Sequence, residues 1–157
     1  MISDKTKQLV NYRIAQEQQS SRIYEQMYYW LSNKGFMGAA VVWEKFYKEE
    51  LEHAKLATEF LLSFGIMPEL SLLEEPDNNY KDIGDIINST YKHEELITNQ
   101  CIELQKYAIA NEPLLLPLAL KYVGIQVKEM EEATNLTDVY KLHKDPLVFD
   151  EYLKNNF

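Results

Sequence analysis

The sequence predicts an all-α protein: a four-helix bundle with one long crossover loop between helices two and three, plus a short C-terminal fifth helix. Three observations carry that prediction. Four long stretches place apolar residues at alternating three- and four-residue steps, the repeat of a single helical face. Glycine and proline, five of each in 157 residues, are too few for a turn-rich β fold. Three of the connections are short, and only Ile66 to Tyr80 is long and without a period. With 46% hydrophobic and 26% charged residues, the chain is expected to form one domain, residues 1–157, and to bury about two-thirds of its unfolded surface.

The first helix covers residues 4–33, with Ser3 or Asp4 as N-cap and Asn33 to Gly38 as the stop. Its seam runs Val10, Ile14, Glu17, Ser21, Tyr24, Tyr28, Leu31. The second covers 38–64 and ends at Gly65 and Pro68, with the seam Trp43, Phe46, Glu50, His53, Ala57, Phe60, Phe64. Residues Ile66 to Tyr80 hold two prolines and an Asp-Asn-Asn run. Extended, they reach about 50 Å, against about 40 Å for a helix of this length, so they can cross from one end of a bundle to the other. That crossing would make helices two and three parallel. The third helix covers 81–110, with the seam Ile83, Ile87, Thr90, Glu94, Ile97, Cys101, Leu104, Ala108. The fourth starts at Pro113 or as late as Pro117, since proline suits a first turn; its seam runs Leu115, Ala119, Tyr122, Gln126, Glu129, Ala133, Leu136, Tyr140. Asp145 and Pro146 then open a short terminal helix over 146–154.

Each long seam is apolar except near its middle, where Glu17, Glu50 with His53, Glu94, and Gln126 with Glu129 interrupt it. A bundle would bring these interruptions to one level. Four carboxylates there cannot all stay ionised without cations, because desolvation and like-charge repulsion both oppose it. Two divalent ions would compensate them. Glu50 and His53, three residues apart, leave one helical face a turn apart and can share an ion. A single Glu-x-x-His is a common chance pair; coincidence on four helices at matching depth is not. Carboxylate-rich ligation with one histidine and no thiolate suits Fe(II) or Mn(II) better than structural zinc. Tyr24, two turns beyond Glu17, either hydrogen-bonds into the site or is a core aromatic. Cys101 reads as a small buried hydrophobe, and the off-seam His93 as a solvated or interface residue.

A net charge of -9, from 25 acidic and 16 basic residues, repels nucleic acid and anionic membranes and attracts cations. No apolar run approaches a membrane span, and the polar N-terminus lacks a signal-peptide pattern, so the expected location is cytoplasmic. One cysteine excludes an intrachain disulfide and a thiolate cluster.

Over essentially its whole length, and through Glu17, Tyr24, Glu50, His53, Glu94, Gln126 and Glu129, the chain resembles the non-haem bacterial-type ferritins of the ferritin-like di-iron superfamily. The resemblance implies a ferroxidase centre. Glu17, Glu50 and His53 would hold one iron, and Glu50 would bridge to a second held by Glu94 and Glu129, with Gln126 nearby. Tyr24 would be the neighbouring redox-active or hydrogen-bonding tyrosine. It also implies a homo-oligomeric cage of 24 subunits that oxidises Fe(II) with dioxygen or hydrogen peroxide and stores ferric mineral. Glu49 matches one ligand of a third iron site, but Ile125 and Lys128 stand where further carboxylates are expected, so that site is weakened or absent. Haem-binding relatives carry a methionine after the bridging glutamate and a second Glu-x-x-His on the fourth helix. Here Leu51 and Gln126-x-x-Glu129 argue against haem. Two other readings stay open from the residues alone: a catalytically weak structural cage subunit, and a peroxide-scavenging di-iron protein.

Overall fold

The computed structural model describes residues 1–157 as five α-helices and no strand. They are α1 (Asp4–Asn33), α2 (Met37–Ser63), α3 (Ile83–Asn111), α4 (Leu116–Leu142) and α5 (Pro146–Asn156). Their starts follow from where free backbone N–H groups find acceptors. Ser3, not Asp4, caps α1, its Oγ accepting from Thr6 N at 3.1 Å. Asp82 Oδ1 accepts from Asp85 N at 2.9 Å, which delays α3 to Ile83. Asp145 Oδ1 accepts from Leu147 N at 2.9 Å, and α5 runs two residues beyond the expected end. Both prolines before α4 are used: Pro113–Leu115 form a single 3-10 turn, and Pro117 lies in the first turn of the helix proper.

Helix α2 has no local cap, since Phe36 precedes it without a side-chain hydrogen bond. The acceptor comes from α5 instead, where Asp150 Oδ1 receives Ala39 N at 2.7 Å. Gly38 permits this approach, because a Cβ there would lie 2.2 Å from the Asp150 carbonyl oxygen. The tight connection α1–α2 turns on Gly35 at φ +86°, a left-handed conformation that favours glycine.

The crossover runs beside α1. Glu69 N donates to Asn11 Oδ1, Glu74 N to Gln19 Oε1, and Gln26 Nε2 to Asn78 Oδ1, so loop and helix advance in the same direction. At the far end Ser3 N donates to Glu112 Oε1 at 3.0 Å, placing the start of α1 against the end of α3. With α1 antiparallel to both neighbours, α2 and α3 are parallel, as the loop length predicts.

The hydrophobic core is in two parts. One gathers Met27, Leu31, Trp43, Ile86, Leu136 and Phe149 at the α5 end. The other gathers Val10, Ile14, Leu61, Ile97, Cys101 and Tyr122 at the opposite end. Every long helix passes from one to the other, and the residues between them are the polar interruptions of the four seams.

Candidate metal centre

The bundle brings the predicted carboxylates and histidine together. Ligand atoms of Glu17, Glu50 and His53 lie within 4.8 Å of one another, as do those of Glu50, Glu94 and Glu129. Glu50 belongs to both groups. His53 Nδ1 lies 3.2 Å from Glu50 Oε2, 3.3 Å from Glu129 Oε1 and 3.9 Å from Glu17 Oε2, so the two groups adjoin. Glu17, Glu50 and Glu94 are buried, while His53 and Glu129 keep slight exposure.

Burial raises the Glu50 carboxyl well above its usual range, with the charges of Glu129 and Glu17 adding to the shift. Glu129 is pushed up to about 10, first by burial and then by Glu94. In the metal-free protein these groups hold protons that a cation would displace. Both oxygens of Glu17 are buried without a hydrogen-bond partner, which suits a carboxylate meant for a metal rather than for packing. The donor set of four carboxylates and one imidazole fits a divalent transition ion with vacant positions.

Neighbouring side chains hold these groups in place. The Tyr24 hydroxyl donates to Glu94, across the bundle, rather than towards Glu17 on its own helix. Burial and the Glu94 and Glu50 charges raise its pKa well above that of a free tyrosine. Gln126 Nε2 donates to Glu94 Oε2 at 3.0 Å and to Thr98 Oγ1 at 3.1 Å, so its amide N–H positions a carboxylate. The Tyr122 hydroxyl donates to the His53 carbonyl at 2.6 Å.

A cavity of about 10 Å³, room for about one water-sized occupant, is lined by Tyr24, Phe46, Glu50, Glu94 and Glu129 and flanked by Glu49 and Glu132. Lys45 Nζ lies 3.6 Å from Glu49 Oε1. Burial raises Glu132, with Glu49 adding to the shift and Lys45 opposing it. Lys128 is exposed and Ile125 packs on the core, so neither adds a carboxylate beside Glu49.

Sequence periodicity missed several contributors. His93 is not a solvated residue: it is half-buried, stands edge-on to Tyr24 at 5.6 Å, and its Nε2 lies 2.7 Å from Ser20 Oγ. Burial lowers its pKa. Ser20 and His93 are both one step off their seams, which is why the three-four count passed over them. Arg13 is buried too, with Nε 2.9 Å from Glu17 Oε1. The approach lies outside hydrogen-bond geometry and leaves Nε and Nη2 without a partner. Its four-residue offset from Glu17 was the available signal, and such pairs ordinarily lie on a surface.

Residues 7–142 match the family model of the ferritin-like domain. The chain is 31% identical over 112 residues to the bacterial non-heme ferritin of Escherichia coli O6:H1, covering 71% of this chain and 68% of that protein. It is 28% identical over 160 residues to the bacterial non-heme ferritin of Campylobacter jejuni subsp. jejuni serotype O:2, covering 99% and 96%. An open-pore ferritin from Archaeoglobus fulgidus matches the fold with a TM-score of 0.92 at 26% identity, over 98% of both chains. With a family match across most of its length and the full bundle in place, the chain belongs to the ferritin family.

Proposed function

We propose that this chain is an iron-storage ferroxidase subunit, which takes up two Fe(II) ions as substrate at the centre of its bundle and oxidises them together. The observation that carries the reading is the membership of Glu50 in both ligand groups, since a shared carboxylate sets two ions side by side. A pair of Fe(II) ions supplies two electrons in one encounter. Dioxygen with two protons becomes hydrogen peroxide, or hydrogen peroxide with two protons becomes two waters, and one-electron products are avoided.

The side chains divide the work. Glu17, Glu50 and His53 hold one ion; Glu50, Glu94 and Glu129 hold the other. Tyr24 and Gln126 fix the two oxygens of Glu94 from opposite sides. Glu50 and Glu129 release protons as iron binds, at the place where reduction of oxygen consumes them. Glu49 and Glu132 flank the cavity and favour a cation on its way in or out. By likeness to the relatives, the oxidised iron passes to a ferric mineral inside a cytoplasmic homo-oligomeric cage, of 24 subunits, without haem. No helix is long and apolar enough to cross a membrane.

The test is a stopped-flow absorbance trace of Fe(II) added aerobically to metal-free protein. A rapid phase saturating near about two irons per subunit is expected, and it should be severely slowed in Glu50→Ala and His53→Ala. Unchanged kinetics in both variants, or no rapid phase above the buffer rate, would replace this reading with that of a structural cage subunit.

A further inference from the structure

We propose that Arg13 is a resident counter-cation of the metal centre. By neutralising Glu17 from inside the core, it weakens metal binding at the Glu17–Glu50–His53 group relative to the Glu50–Glu94–Glu129 group, and it biases the centre towards releasing oxidised iron. The inference rests on the ferroxidase reading above and adds to it a positioning residue that touches no ligand but Glu17.

Arg13 is 2% exposed and Glu17 1%, with 2.9 Å between Nε and Oε1. The chain's other Lys and Arg pairs involve partly or largely exposed lysines on the helix surfaces. A guanidinium keeps its proton under any ordinary condition, so this charge is fixed where a buried lysine could lose it. Its guanidinium lies over the Tyr122 ring, with Cζ 5.9 Å from the ring centre, and Tyr122 in turn holds the His53 carbonyl. The arrangement is not one optimised for the pair itself. Nε and Nη2 make no hydrogen bond, and neither Glu17 oxygen does. Burying such a pair gains little for the fold, whereas removing one member leaves the other charge uncompensated.

The charge balance gives the consequence. With the four carboxylates of the two groups ionised, two Fe(II) ions would leave the centre neutral. Arg13 leaves it one unit positive, and each oxidation adds another unit. Coulomb repulsion falls with distance, so the ion at the Glu17 group bears most of the penalty. Glu17 serves only that group. The two positions should therefore differ in affinity, and the ferric state should be held less firmly than carboxylates alone would hold it.

The experiment titrates the metal-free, assembled protein with redox-inert Zn(II) by calorimetry, in the wild type, Arg13→Gln and Arg13→Lys. Two Zn(II) equivalents are expected in the wild type, one weaker than the other. In Arg13→Gln the weaker one should tighten about tenfold or more, as expected for removing a unit charge at a partly buried site, while the stronger one moves less. Arg13→Lys should stay near the wild type at neutral pH, where an ammonium beside Glu17 keeps its proton, and approach Arg13→Gln as pH rises. The sign separates this proposal from a merely structural role: if Arg13 only held Glu17 in place, its loss would weaken binding. An unchanged or weaker second equivalent in Arg13→Gln would overturn the proposal. Should that variant fail to assemble, Arg13→Met, which keeps the aliphatic volume without the charge, carries the same prediction. Glu50→Ala is the control, since stoichiometric Zn(II) binding that survives it would defeat the ferroxidase reading itself rather than the role of Arg13.

Discussion

Raising the pH of the metal-free protein above neutrality should destabilise it, against the usual behaviour of carboxylates. Glu129 is pushed up to about 10 from an ordinary value of 4.5, by burial and then by Glu94, and Glu50 is raised well above the same value by burial, Glu129 and Glu17. For an acid whose folded pKa exceeds its unfolded one, the folded state keeps a proton that the unfolded state has already lost. Its contribution is complete below the unfolded value and is lost as pH climbs towards the folded one. For Glu129 that window runs from 4.5 to about 10. Inside it, each retained proton removes about 1.4 kcal/mol of stability per pH unit. One to two such protons give about 1.4 to 2.7 kcal/mol per unit, and for a chain of this size the smaller figure is about 3–6 °C in Tm.

Other groups set the range of the assay. His93 works in the opposite sense, because burial lowers it, and its contribution is complete above the ordinary histidine range near pH 6.5. Cys101, pushed up to about 12, adds a slope of the Glu129 sign once pH nears the ordinary thiol value. Denaturant unfolding between pH 7 and about 8 therefore reports mainly the carboxyls. It is done with a chelator present and at fixed protein concentration, since assembly also contributes to apparent stability. Glu129→Gln, neutral at every pH, should flatten the slope by one proton. Addition of Zn(II) at pH 7 should release at least one proton per centre, read directly by titration. Stability that is flat or rising across this range, with no proton release, would refute the electrostatic account of the site.

Two further predictions concern the junction of α2 with α5. Gly38→Ala places a Cβ 2.2 Å from the Asp150 carbonyl oxygen, a backbone atom that cannot swing aside; it should cost about 1–3 kcal/mol, and hydrogen exchange should report faster opening of α5. Asp150→Ala removes the acceptor for Ala39 N and should cost about 1–2 kcal/mol by denaturant unfolding, with Asp150→Asn avoiding much of that loss because it keeps an acceptor oxygen. Equal stability of the alanine variant and the wild type would mean that solvent caps α2 as well as α5 does.

Much of the fold was legible because it rests on periodicity and length, both of which a sequence carries openly. The seam of α3 identifies its buried residues closely, since Ile83, Ile87, Thr90, Glu94, Ile97, Cys101, Leu104 and Ala108 are all buried. On α2, by contrast, Val42, Ala54 and Leu61 are buried off the expected seam, and Phe60 and Phe64 on it are only partly so. The parallel pairing of α2 and α3 followed from the reach of Ile66 to Tyr80. The convergence of Glu17, Glu50, His53, Glu94 and Glu129 followed from their equal depth, because helices of similar length in a bundle have little freedom to slide once both ends carry apolar residues. The bounds of α1 are those expected, and the others moved by up to two residues: α3 starts at Ile83 because Asp82 accepts from Asp85 N, and α5 continues to Asn156.

What periodicity could not supply is the identity of the partners behind each ligand. A seam lists the residues that face the axis, yet the hydrogen bonds of a buried carboxylate come from flanking positions whose orientation depends on the neighbouring helix. His93 and Ser20 flank their seams and meet only because α1 and α3 cross with those flanks opposed. Arg13 is the sharper case. As an i, i+4 pair with Glu17 it has the sequence appearance of a solvated ion pair worth a few tenths of a kcal/mol. The bundle closes over it instead, and the same two residues become a buried charge pair beside three further carboxylates. Whether such a pair faces water or core turns on a rotation of α1 of less than one residue step. That rotation is decided by Val10, Ile14 and Leu31 packing on their neighbours, so the charge state of the centre is set by apolar residues outside it.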